Sequence, residues 1–157
     1  MKNISGEKLL ILERRYKQAT LVSVVLIGFV IVLGASLSLA QITPIGLARQ
    51  TVDALWVGVI FLAGGALLVR RVRNRWDFIK DTFTLKGLDG TMCRLRNDVV
   101  ITMLFGVGAT VLGVVIFLSD GVRFDLLRAI LASVVVMAVS FPRKNIWKRI
   151  ASELEAV

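Results

Sequence analysis

Apolar residues gather into four long blocks, at 21–40, 54–69, 99–118 and 126–141, with charged residues crowded into the segments between them. A soluble core uses short stripes that recur every three or four residues, so this segregation is the pattern of helices lying in hydrocarbon. The first and third blocks contain no charge. At about 1.5 Å per residue each reaches roughly the 30 Å of a bilayer core. The second block lies between Asp53 and the Arg70–Arg71 pair, and its shorter length requires flanking residues or a locally thinned bilayer. The fourth carries Arg128 in its first turn, where a long side chain can extend back to the headgroups.

The pattern predicts an all-α membrane protein with four transmembrane helices. The expected organisation is an amphipathic N-terminal segment over 1–20, a transmembrane hairpin over 21–69, a basic connection over 70–98, a second hairpin over 99–141 and an amphipathic C-terminal helix over 142–157. Pro44 and Gly46 predict an irregular loop between the first two spans, and Ser119-Asp120-Gly121 a tight turn between the last two. Composition agrees: 56% of the 157 residues are hydrophobic, against about 45–50% in soluble domains.

Charge then orients the spans. Lys and Arg number five before the first block, one between the first and second, eight between the second and third, one between the third and fourth, and four after the fourth. The basic connections share one side with both termini, which the positive-inside rule makes cytoplasmic. The net charge of +9 thereby reads as a topology signal and not as a nucleic-acid surface. A bacterial or archaeal cytoplasmic membrane is the simplest location. The first block is too long, and too far from the start, for the apolar region of a cleaved signal, so it is expected to stay in the protein.

The segments beside the spans carry apolar residues at helical spacing: Leu9, Leu12 and Tyr16; Val72, Trp76, Ile79 and Phe83; and Trp147, Ile150 and Leu154. They predict interfacial helices on the inner leaflet, with packing on one another or on a partner as the alternative. Arg70, Arg71, Arg73, Arg75 and Trp76, with Arg143, Lys144, Trp147 and Lys148, form the expected surface for anionic lipid or a protein partner. Trp76 aligns with Trp147, Asn74 with Asn145, Arg73 with Lys144 and Ile79 with Ile150, while Arg15, Lys17 and Gly34 align with Arg94, Arg96 and Gly113. If these matches reflect duplication, the two hairpins form a parallel repeat about the membrane normal. Shared composition of basic, Trp-containing flanks is the competing explanation.

Candidate chemistry adds little. There is no His, one Cys (Cys93, expected to be a free thiol), and no phosphate loop, nucleophile motif or metal-ligand cluster, so neither catalytic residues nor metal or cofactor sites are expected. No acidic residue lies inside an apolar block, where a proton-coupled carrier would keep one. An enzyme would need Asp77, Asp81, Asp89 and Asp98 to gather as a metal site, yet their interleaving with Arg reads as solvated ion pairs. Thr110 and Ser133 are the hydroxyls nearest mid-span, and each can bond its own helix. Small residues suggest packing surfaces: Gly34, Gly64, Gly65, Gly106, Gly108, Ala109, Gly113, Ala129 and Ser133. They are expected to serve helix contacts within the bundle first; the alternative for the 106–108 glycines is a kink, which a transport function would want. The resulting expectation is a non-enzymatic membrane subunit or scaffold that packs with a larger complex, with anionic lipid, or with both. A small homo-oligomeric channel or carrier is the alternative.

Overall fold

The computed structural model describes residues 6–40, 43–73 and 75–154, which hold five α-helices and no strand. They are α1 (Gly6–Leu39), α2 (Arg49–Arg73), α3 (Trp76–Asp120), α4 (Arg123–Ser140) and α5 (Lys144–Leu154). Four helical stretches are long and apolar enough to cross a membrane: α1, α2, α3 and the Arg123–Leu154 segment. Asn74, one half of an aligned pair, lies outside the described residues.

Helix ends follow local chemistry. Gly121 takes the left-handed conformation (φ 71°) and donates its N–H to the Phe117 carbonyl at 2.8 Å, closing α3 in the expected turn. The Asp120 carboxylate accepts from the Val122 N–H at 2.9 Å. Across the same end, Ile45 and Gly46 donate their N–H groups to the carbonyls of Leu118 and Ser119, so the irregular 43–48 loop is tied to α3. At the other end α4 stops at Ser140 because Phe141 precedes Pro142 and is held extended (ψ 134°).

The segments flanking the apolar blocks differ from one another: one continues α1, one forms an arm of α3, and one is the separate helix α5. Residues before the first apolar block continue the same 34-residue helix, α1. Within α3 the helix breaks at Gly87 (φ 64°, ψ −168°), a conformation glycine adopts cheaply. Arg94 donates to the Phe78 carbonyl at 2.9 Å although they lie 16 residues apart. A continuous helix would separate them by about 24 Å, so the 76–86 arm folds back along the turns around Arg94. Gly106 and Gly108 sit in continuous helix and pack on Met137 and Leu62, so the alternative of a kink there is not seen.

Helix α3 touches every other helix, α1 and α2 each also touch α4, and α1 and α2 do not touch one another among the described residues. The expected first hairpin is therefore not a packed pair: α1 and α2 flank a shared α3–α4 seam. The two halves also pack differently, since α3 and α4 are in direct contact.

Small residues explain the seam. A Cβ on Gly113 would overlap the Ala129 Cβ, and one on Gly106 would come within 2.8 Å of Met137. Ala109, Ala129 and Ser133 are fully buried, and Gly34 lies against Ile130, where α1 meets α4. Gly108 abuts Leu62 and Gly65 faces Phe105, both between α2 and α3. Gly64 is the exception: it meets nothing and opens outward, so it is not a packing residue of this bundle. Gly113→Ala should cost about 1–3 kcal/mol by overpacking, because the Ala129 Cβ is fixed to its backbone. Gly64→Ala should stay within about 0.5 kcal/mol of the parent. Thermal unfolding in detergent checks this, and equal midpoints for the two variants would contradict the seam.

Candidate functional site

At the basic end, three helices that run together through the apolar region separate. The seam positions of α3 recur through Leu95, Asp98, Thr102, Gly106, Ala109, Gly113 and Ile116, all buried at steps of three or four residues. Asp98 thus occupies a packing position just before the apolar block and is only 5% exposed. That departs from the expected solvated carboxylate. Its partners are Arg73 from the end of α2 (Nε to Oδ1, 2.6 Å) and Arg94 one turn back (3.9 Å). Arg94 also donates to the Thr82 hydroxyl and lies 5.7 Å from the Phe78 ring centre, so one side chain joins the folded-back arm to the ion pair.

The other acidic residues considered for a metal site do not join Asp98. Asp89 pairs with Arg15 at 3.1 Å, and its carboxylate raises the Arg15 pKa through a side-chain hydrogen bond. Among the described residues no group of three or more His, Cys, Asp or Glu side chains is placed to hold a metal.

Helix α5 turns back after Pro142 and lays Trp147, Ala151 and Leu154 inward. The Trp147 ring meets Tyr16 edge-on, centroids 5.8 Å apart, in a cluster with Leu12, Ala19, Met92 and Leu95. Trp147 is 4% exposed. The face expected to meet lipid or a partner packs instead on α1 and α3, because eleven residues bury more apolar surface against two helices than alone. Lys144 binds Glu13 across the same junction at 3.0 Å.

Between α2, α3 and the α4–α5 corner lies a cavity of about 340 Å³. Arg70, Trp76, Asp98, Ser140, Arg143 and Trp147 are among the residues that line it. Arg70 donates to the Val139 carbonyl, one of the last carbonyls of α4, which have no partner within the helix. The Ser140 hydroxyl is buried and has no hydrogen-bond partner. Five of the nine residues expected to form the lipid or partner surface divide between wall and core: Arg70, Trp76, Arg143 and Trp147 in the wall, and Arg73 on Asp98. Arg71, Arg75, Lys144 and Lys148 are exposed, as is Arg143 at the rim of the cavity, and Lys80 lies 5.8 Å over the Trp76 ring. Ser140 was not singled out from the sequence, and Asp98 was read there as a solvated carboxylate. Asp98 had a signal, being in phase with Gly106, Ala109 and Gly113; Ser140 had only its place before Phe141-Pro142.

At mid-span the hydroxyls turn inward to their own helices: Thr110 donates to the Gly106 carbonyl at 3.2 Å and Ser133 to that of Ala129 at 2.9 Å. They form no shared polar site.

No family model, curated protein or solved structure matches this chain.

Two outcomes test this end of the molecule. Asp98→Ala strands Arg73 and Arg94, and should cost about 3 kcal/mol, the low end for a broken buried pair because Arg73 is 40% exposed. Adding Arg73→Met should recover part of that loss, and additive effects on the thermal midpoint would disprove the pairing. The second concerns pH. The Lys144 ammonium, donating to Glu13, holds that carboxyl below its ordinary 4.5. A lowered folded value stabilises the α1–α5 junction above the unfolded value and loses that stabilisation as pH falls through the folded one. Protection of α5 amides, corrected for intrinsic exchange, should fall on acidification below pH 4.5 in the parent. Glu13→Gln should reduce this dependence; an unchanged profile would show that the pair does not hold α5.

Proposed function

We propose that this chain is a non-enzymatic subunit or scaffold of a larger assembly in a bacterial or archaeal cytoplasmic membrane. In this reading it spans four times with the basic end and both termini in the cytoplasm. It meets a protein partner through its flanking helices and anionic lipid through its basic end.

The observation that carries the reading is the unequal covering of the helices. In the most apolar stretch of α3, 39% of residues are buried within the bundle, against 17% in α1 and 11% in α2. Lipid can solvate such faces. Glycines on those same outer surfaces suit a helix better, because they let another backbone approach closely. Gly28 of α1 and Gly64 of α2 each have no neighbouring atom in the space a Cβ would take.

At the basic end, the exposed Arg71, Arg75 and Lys148 each favour anionic headgroups by about 1 kcal/mol near the surface. The closed α3–α4 seam and the self-bonded Thr110 and Ser133 supply no polar path through one protomer, which favours a subunit over a carrier. Mild solubilisation from native membranes, followed by mass spectrometry of co-purifying proteins, tests the proposal. A larger partner at fixed stoichiometry, lost in Gly64→Leu, is expected. A partner-free homo-oligomer would overturn it in favour of a channel or carrier formed between protomers.

A further inference from the structure

The cavity at the α4–α5 corner is lined by more basic than acidic side chains. Of the two acids in its wall, Asp98 is engaged by Arg73 and Arg94, and Glu153 lies 3.7 Å from Arg149. Arg70 and Arg143 remain. Both line the cavity, neither has a carboxylate within ion-pair distance among the described residues, and the charge of Arg143 acts repulsively on Arg70. Arg70 is half-buried and Arg143 exposed at the rim, and two like charges lining one cavity are relieved by an anion that both can reach.

A second, independent feature is the Ser140 hydroxyl. Ser140 is 4% exposed and lines the same cavity, and its hydroxyl, like the ion-paired Arg73 Nε and Asp98 carboxylate oxygens, has no hydrogen-bond partner of good geometry among the described residues. Serines in helices ordinarily bond a carbonyl one turn back, as Thr102, Thr110 and Ser133 do here. An unsatisfied buried hydroxyl is costly and asks for an explanation. The adjoining corner adds to the field: α5, eleven residues long, starts directly after Arg143, and the positive end of a helix favours negative charge. Trp76, Val99, Phe141 and Ile146 make much of the remaining wall apolar. The volume falls in the range of about 300–1,000 Å³ that suits a small-molecule site.

We propose that this cavity binds the phosphate of an anionic phospholipid, with Arg70 and Arg143 on the phosphate oxygens and the Ser140 hydroxyl donating to it. Guanidinium groups suit phosphate because they offer several donors in a fixed plane. The lipid source follows from position. Arg70 directly follows the second apolar block, Asp98 directly precedes the third and Ser140 ends α4, so the cavity lies at the level where the apolar blocks stop. In the proposed orientation that is the height of the inner-leaflet headgroups. The inference deepens the lipid half of the proposed function, rests on the membrane location, and is independent of whether a protein partner exists.

Native mass spectrometry of the full chain in detergent tests it, using short-chain phosphatidylglycerol, matched phosphatidylcholine and glycerol 3-phosphate as probes. One phosphatidylglycerol should bind per chain, in preference to phosphatidylcholine. Arg143→Gln, which removes no contact within the fold, should weaken it by about tenfold, the loss of one charge-assisted donor. Ser140→Val, which fills the space and deletes the hydroxyl, should weaken it as well. Arg123→Gln, an exposed position at the opposite end of the 18-residue α4, should change it by less than about twofold, since it lies roughly 27 Å along the helix from Ser140, well beyond the screening length. Unchanged binding in a folded Arg143→Gln, or equal binding of phosphatidylcholine, would overturn the site. Glycerol 3-phosphate binding as tightly as the lipid would overturn the lipid assignment and make the ligand a soluble phosphate ester. The co-purification experiment reads the partner separately, so either proposal can fail alone.

Discussion

The close approach of α3 and α4, set where Gly113 leaves room for Ala129, is the constraint on which the rest of the arrangement depends. Without a hydrophobic drive between helices in lipid, association depends on dispersion contacts, which fall away steeply when backbones are held apart. Gly106, Ala109, Gly113, Ala129 and Ser133 bring the two backbones together over several turns. Once this pair forms the seam, α1 and α2 are left to opposite flanks, each touching both seam helices and not one another. Their outward faces remain apolar and uncovered, as in Phe29, Val32, Phe61 and Leu68.

The seam opens toward the basic end because its residue types change there. Small side chains give way along α3 to Thr102, Asp98 and Leu95, while α4 ends before Pro142 and can no longer follow its partner. Helix α5 closes the gap from the side by burying Trp147 on Tyr16 and Leu12. The Arg73–Asp98–Arg94 cluster ties the end of α2 to the middle of α3. A buried carboxylate with two cations is weak evidence of net stability, and here the Arg73–Asp98 pair is the one that crosses from α2 to α3. The cavity is what remains between the ion-paired side and the aromatic side.

Much of this was legible in the amino-acid pattern. Two charge-free blocks of bilayer length, and two shorter ones edged by Arg, correspond to helices long and apolar enough to span. The turn at Ser119-Asp120-Gly121 was readable from its residue types, and Gly121 takes the positive φ that such a turn requires. What escaped was tertiary. Nothing local distinguishes lipid from helix as the cover for an apolar face, so Trp147, Ile150 and Leu154 read as interfacial although Trp147 and Leu154 are buried. Gly64 read as a packing residue for the same reason. Asp98 was set aside as a surface charge because it sits beside Arg residues. Its phase with Gly106 and Gly113 is the stronger signal, since burial follows the helical face and not the immediate neighbours. Ser140 and Arg143 come together only through the corner at Pro142, which sequence spacing does not convey.

Sidedness underlies the reading of both the basic end and the lipid site, and labelling of single cysteines tests it most directly. In a Cys93→Ser background, Val122→Cys lies in the turn at one end of the bundle and Lys148→Cys on the exposed side of α5 at the other; both parent residues are exposed. An impermeant maleimide should label only Val122→Cys in right-side-out vesicles and only Lys148→Cys in inverted ones. Labelling of both positions from the same side of a sealed membrane would contradict the four-span arrangement with its basic end in the cytoplasm.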